Sequence, residues 1–190
     1  MIEIRDFDSL GGAEHGWLTA KHHFSFAGYY DPARMGWGAL RVWNDDLIRA
    51  KTGFPPHPHR DMEIVTYVVD GSLWHKDSKG NAEELGRGAI QFMSAGTGVS
   101  HSEANHGGKP LRFVQSWIVP RKRGLKPSYG SASGFDRQDK WAYMVGDAGA
   151  AGEEAPGKGS AALSGGRGGG GLVRGGGRRG PLRERPGRSG

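Results

Sequence analysis

The sequence predicts an all-β domain, a sandwich or a closed barrel. Short apolar runs broken by Gly, Pro, Asn and Asp fill residues 24–120, and several are rich in β-branched residues. Nothing sustains a 3.6-residue apolar period over three turns, so no amphipathic helix competes with strands. Short strands with turns at close spacing are the pattern of sandwiches and barrels.

Taken in order, Ala39-Leu40-Arg41-Val42-Trp43 reads as a strand stopped by a turn at Asn44-Asp45-Asp46. Glu63-Ile64-Val65-Thr66-Tyr67-Val68-Val69 is a β-branched strand, and Asp70-Gly71 is a strong turn signal behind it. Ser72-Leu73-Trp74-His75 resumes as a strand and stops at Asp77-Ser78-Lys79-Gly80. Further strands are expected over Ala89 to Met93, Val99 to Glu103 and Leu111 to Val119.

Composition divides the chain. All six Trp, five Tyr and seven Phe fall within the first 143 of 190 residues, so a core forms there. Residues 151–190 hold fifteen of the thirty-five glycines, eight Lys or Arg and three Asp or Glu, a net charge of +5. The whole chain is +6, which leaves about +1 for residues 1–150 and no basic partner-binding face on the domain. The expected division is therefore a domain over 1–145 and a low-complexity Gly/Arg-rich tail over 146–190. Such a tail cannot bury enough apolar surface to offset its ordering entropy, and disorder is expected. Arg174-Gly175-Gly176 resembles the RGG segments that bind single-stranded nucleic acid. The tail lacks their interleaved aromatics, so nucleic acid is not expected as a partner. A frame-shifted reading of a GC-rich gene would give the same composition.

No cysteine is present, which excludes disulfides and thiolate ligands. The start, Met1-Ile2-Glu3-Ile4-Arg5-Asp6, lacks a secretory pattern, and no run of about eighteen apolar residues could span a bilayer. A soluble, cytoplasmic protein is expected.

Chemistry concentrates in two pairs. In a strand, residues two apart share a face, so His57 and His59 can aim both imidazoles inward. His101 and Glu103 repeat that spacing some forty residues later. Two such pairs on neighbouring strands supply three nitrogens and a carboxylate oxygen to one ion. An ion preferring six ligands keeps about two positions for water, oxygen or substrate. Glu63, four residues after His59, competes with Glu103 if strand parity holds; otherwise it is a neighbour of the site or a partner of Arg60. His15, His22, His23, His75 and His106 lack such pairing and read as structural.

These residues stand in a wider context that resembles the pirin family of the cupin superfamily, and within it the bacterial members described as quercetin 2,3-dioxygenases. The resemblance runs from about His15 to Phe135. It is carried by His22-His23-Phe24-Ser25-Phe26-Ala27, by Arg41-Val42-Trp43-Asn44-Asp45-Asp46, by Gly53 through Gly71, and by Met93 through Glu103. It implies a jelly-roll cupin barrel with His57, His59, His101 and Glu103 as ligands of one divalent ion, and Glu63 outside the ligand set. Iron is the expected ion; Mn, Co, Ni, Cu or Zn suit the same donors.

The implied reaction is opening of a flavonol's central ring by O2 with release of carbon monoxide. The 3-hydroxyl and 4-carbonyl would reach the metal, and Glu103 would take the hydroxyl proton. Phe54, Met93 and Trp43 are expected along the pocket. Members of the family continue into a second cupin domain after the position of Trp141. Here the Gly/Arg tail stands in that place, so exposed apolar surface and self-association are expected. Two other readings are a non-catalytic metal-binding cupin acting as a redox-sensitive regulatory partner, and an inactive truncated product.

Overall fold

No α-helix occurs among the residues described (4–135, 139, 144–147 and 161–163 of a computed structural model), which form strands and a single 3-10 turn at Phe7–Ser9. The strands of the domain are β1 (Gly11–Glu14), β2 (Leu18–His22), β3 (Leu40–Ile48), β4 (Thr52–His59), β5 (Glu63–Asp70) and β6 (Ser72–Asp77). They continue with β7 (Ala82–Gly86), β8 (Ile90–Ser94), β9 (Val99–Asn105), β10 (Leu111–Ile118) and β11 (Ser128–Ala132). They build a seven-stranded sheet in the order β1-β2-β3-β10-β5-β8-β11 and a four-stranded sheet in the order β4-β9-β6-β7. Neighbours within both sheets are antiparallel. The all-β expectation holds.

Alternation decides what is buried. In β9, Val99, His101, Glu103 and Asn105 point inward while the residues between them are partly exposed. Ile48, Val68, Leu111 and Phe113 of the larger sheet share one apolar cluster with Leu73 and Leu85 of the smaller, so the sheets pack face to face. A second cluster, Ile64, Met93 and Val99, is flanked by Met62, Trp117 and Tyr129. The Asp70-Gly71 turn joins β5 to β6, with Gly71 at φ 82°, where a side chain would also crowd Pro110 and Leu111.

Two sequence expectations are corrected. Asn44-Asp45-Asp46 is not a turn but the middle of β3. Its alternation sends Asn44 and Asp46 into the barrel and leaves Asp45 outside, where Arg112 of β10 grips it through two hydrogen bonds of 2.7 and 2.8 Å. Pairing with strands on both sides overrides the local turn preference. Strands also extend beyond residues 24–120, as β1, β2 and β11. Past residue 144, Val145–Asp147 (β12) pairs in parallel with Ala161–Leu163 (β13). The remainder of the expected tail lies outside the described residues. No helix of the described residues is long and apolar enough to cross a membrane.

Candidate metal centre

β4 and β9 bring the histidines together. Register pairs His57 directly with His101, Phe54 with Glu103 and His59 with Val99, and the ladder shifts between Phe54 and His57. That irregularity falls at Pro55-Pro56, residues that offer no N–H to a ladder. Beyond it, His57 and His59 present their rings to the same side. Gly53 allows the close approach: a Cβ there would collide with the Glu103 carbonyl oxygen and Ala104.

The rings of His57, His59 and His101 have centroids 4.5 to 4.9 Å apart, and one nitrogen from each lies within 4.8 Å of the others. Nε2 of His59 and Nε2 of His101 are 3.0 Å apart. His57 Nδ1 lies 2.8 Å from the Pro55 carbonyl oxygen and donates to it, which leaves Nε2 as the lone-pair nitrogen. Burial, then the nearby rings of His101 and His57, hold His59 down at about 4; Glu103 opposes this. Burial, then His57 and His75, hold His101 down at about 3. Both are therefore neutral at neutral pH, the form that ligates metals. His101 Nδ1 is buried without a hydrogen-bond partner. Three imidazoles converging in this way, with His59 and His101 held neutral, fit a divalent ion of borderline softness.

Glu103, 2% exposed, lies beside this cluster and forms a second close group with His75 and His101. Gln91 Nε2 donates to its Oε1 at 2.7 Å and Gln115 Nε2 to its Oε2 at 2.9 Å. Both amides are themselves oriented. Trp117 Nε1, which can only donate, points at Gln115 Oε1 at 2.8 Å and so turns the amide nitrogen to Glu103. Tyr129 OH donates to Gln91 Oε1 at 3.1 Å. A carboxylate has about four lone-pair sites, so two remain after the amides.

Glu63 belongs to neither close group. The parity argument that made it a candidate fails because β4 ends at His59 and Asp61, at φ 48°, turns the chain before β5 starts at Glu63 in the other sheet.

Sequence reasoning missed several neighbours. His75, read as structural, is fully buried opposite Glu103, stacks on Tyr129 at 4.4 Å and meets Asp77 at 3.3 Å. Gln115 stands in the inward series Leu111, Phe113, Gln115, Trp117, where a polar residue among apolar ones was the available signal. Gln91 lies in a strand buried throughout, which offers no alternation to read.

A cavity of about 360 Å³ opens onto the centre, lined by His57, Glu103, Gln115, Asp46, Asn44 and His22 and by the apolar side chains of Trp17, Phe26, Phe54 and Trp117 among others. Phe54 lines it as expected. Met93 does not, being packed with Ile64 and Val99, and Trp43 stands 40% exposed against His23. Asp46 is pushed up to about 8, first by burial and then by the Glu103 and Asp45 charges.

Comparison with known proteins adds four findings. The family model described as Pirin matches residues 4–118. A pirin-like protein of Caulobacter vibrioides is 55% identical over 145 residues, covering 76% of this chain and 62% of its own. A protein of Escherichia coli K12 named quercetin 2,3-dioxygenase is 52% identical over 130 residues, covering 68% and 56% respectively. The crystal structure of a bacterial pirin, YhhW of Escherichia coli, in complex with nickel(II) superposes with a TM-score of 0.69 at 45% identity, over 77% of this chain and 63% of that one. The chain thus spans 62% and 56% of the length of these two curated relatives.

Proposed function

The chain belongs to the pirin family of cupin-fold proteins, and from that premise we propose that it is a metal-dependent dioxygenase cleaving flavonols such as quercetin with O2. The observation that carries the reading is the convergence of three imidazoles, of which His57, with the neighbouring Glu103, lines an aromatic-walled cavity. In this reading His57, His59, His101 and Glu103 hold one ion, with Fe(II) as the native metal. The nickel in the related pirin supports a divalent ion of this kind.

Such an ion, when bound, supplies Lewis acidity toward an enol oxygen and a centre at which O2 reacts. The protein's own residues do the rest. The Pro55 carbonyl holds His57 in one tautomer. Gln91 and Gln115 fix the Glu103 carboxylate in place. Its remaining lone pairs serve the ion and, as the substrate enters, accept the 3-hydroxyl proton. Trp17, Phe26, Phe54 and Trp117 give a flat ring system an apolar slot and keep water from it. The setting in the cell is taken to be the cytoplasm.

The test is an oxygen electrode with the Fe(II)-loaded chain and quercetin, with carbon monoxide collected. Stoichiometric O2 uptake and carbon monoxide release, lost in His101→Ala and Glu103→Ala, are expected. A metal-loaded chain that consumes no O2 with quercetin would falsify the dioxygenase reading and favour a non-catalytic metal-binding partner.

A further inference from the structure

The cavity has a second polar wall that the metal centre does not use. β3 sends Asp46 into it from the seven-stranded sheet, between Ala20 of β2 and Phe113 of β10. His57, by contrast, reaches the cavity from the four-stranded sheet. Asp46 is only 4% exposed, and among the described residues its carboxyl has neither a hydrogen bond nor an ion pair. Arg112 of the adjoining β10 is engaged by Asp45 on the outer face. Two residues back on the same strand face, Asn44 also lines the cavity, and its Oδ1 is buried without a partner. Beside it, His22 Nδ1 is also buried without a hydrogen bond of good geometry, and Asn44 is the side chain that faces it.

Burying polar groups without partners is costly, and it persists where something outside the chain supplies the missing bonds. A metal centre explains the histidines on β4 and β9. It does not explain polar groups on β2 and β3 that share their wall with Trp17 and Phe26.

We infer that Asp46 is a ligand-recognition residue, receiving a ring hydroxyl of a polyphenolic ligand distinct from the enol that faces the metal centre. The inference rests on the flavonol reading above and deepens it. A flat aromatic ligand anchored at the four-stranded sheet extends between the aromatic walls toward β3. A peripheral hydroxyl then meets a carboxyl that accepts its hydrogen bond when ionised and can accept or donate one when protonated. Asn44 and His22 flank this position and favour ligands carrying more than one hydroxyl. A site built to bond a hydroxyl rejects analogues lacking it far more strongly than an apolar pocket would.

The test is an equilibrium titration by tryptophan fluorescence under argon, using the full chain at measured metal content. The probes are quercetin and 3-hydroxyflavone. They share the 3-hydroxyl and 4-carbonyl pair and differ in the peripheral hydroxyls. Asp46→Leu should weaken quercetin binding about ten-fold or more. Its effect on 3-hydroxyflavone should stay below about two-fold. Asp46→Asn, which keeps a hydrogen-bonding group of the same shape, should retain most of the preference. Equal losses for both probes, no loss for either, no quercetin binding by the wild type, or a fall in metal content in Asp46→Leu overturns the inference. Because argon excludes turnover, selective binding without O2 uptake in air would leave this inference standing and remove the dioxygenase reading alone.

Discussion

His59 and His101 place two ring nitrogens 3.0 Å apart with burial working against a charge on either. That arrangement makes stability depend on pH in a definite way for the metal-free chain. Both histidines bind protons more weakly folded than unfolded, so their contribution is intact above about 6.5 and is lost as pH falls through about 4 and about 3. Asp46 runs the other way: raised from 3.8 to about 8, it contributes fully below the unfolded value and loses that contribution as pH rises through about 8. Between about pH 4 and 6.5 two histidines outweigh one aspartate and stability climbs; from there to about 8 Asp46 alone titrates and stability falls. Melting temperature against pH should peak near about 6.5, and Asp46→Asn should remove the alkaline decline. A curve that rises steadily to pH 8 would contradict this. The amides matter as well: Gln115→Leu frees Glu103 from one of its two holds, and metal affinity should fall by roughly 10- to 100-fold in a competition titration with a chelator. An unchanged affinity would show that the carboxylate needs no such support. At this scale the sequence showed the two ligand pairs, because a spacing of two is a geometric signature. It hid Gln91, His75 and Asp46, whose significance arises from strands distant in the chain.

β4 is a strand whose irregularity is functional. Without the shift at Pro55-Pro56, the ladder against β9 would run on in simple alternation from Phe54, and His57 would not stand opposite His101. The same pairing requires that nothing project from Gly53. Gly53→Ala should force β4 away from β9, lower the melting temperature and reduce metal content together. A variant that folds normally and binds a full complement of metal would show that the β4–β9 approach is not what aligns the histidines. β3 teaches a different lesson about legibility. Its apolar start and its Asn-Asp-Asp run look like strand and turn, yet the strand continues, with Asn44 between His22 and Gln115 and Asp46 between Ala20 and Phe113. Propensity reads the turn; only the facing strands reveal that a polar interior was available. The spacing of Glu63 from His59 left it a competitor of Glu103, and Asp61, with its positive φ, breaks the parity on which that spacing relies.

On the scale of the molecule, the all-β barrel was legible from β-branched runs and turn residues, and the two-sheet order was not, since it depends on pairings such as β10 between β3 and β5. The chain covers 53 to 62% of the length of its curated relatives, and Tyr30 and Trp37 stand 71% and 81% exposed, with Met35 between them at 44%. Apolar side chains so exposed and close in sequence favour association. Sizing with light scattering should therefore show species larger than a 20.4 kDa monomer, reduced by Trp37→Ser; a clean monomer at all concentrations would contradict that expectation. The proposed activity and ligand binding both depend on the metal centre. X-ray absorption at the nickel edge of the fully loaded chain reads the donors directly. One ion per chain with outer-shell scattering from three imidazoles, falling to two in His101→Ala, is the predicted result; no stoichiometric uptake, or an ion surrounded by oxygen alone, would contradict it.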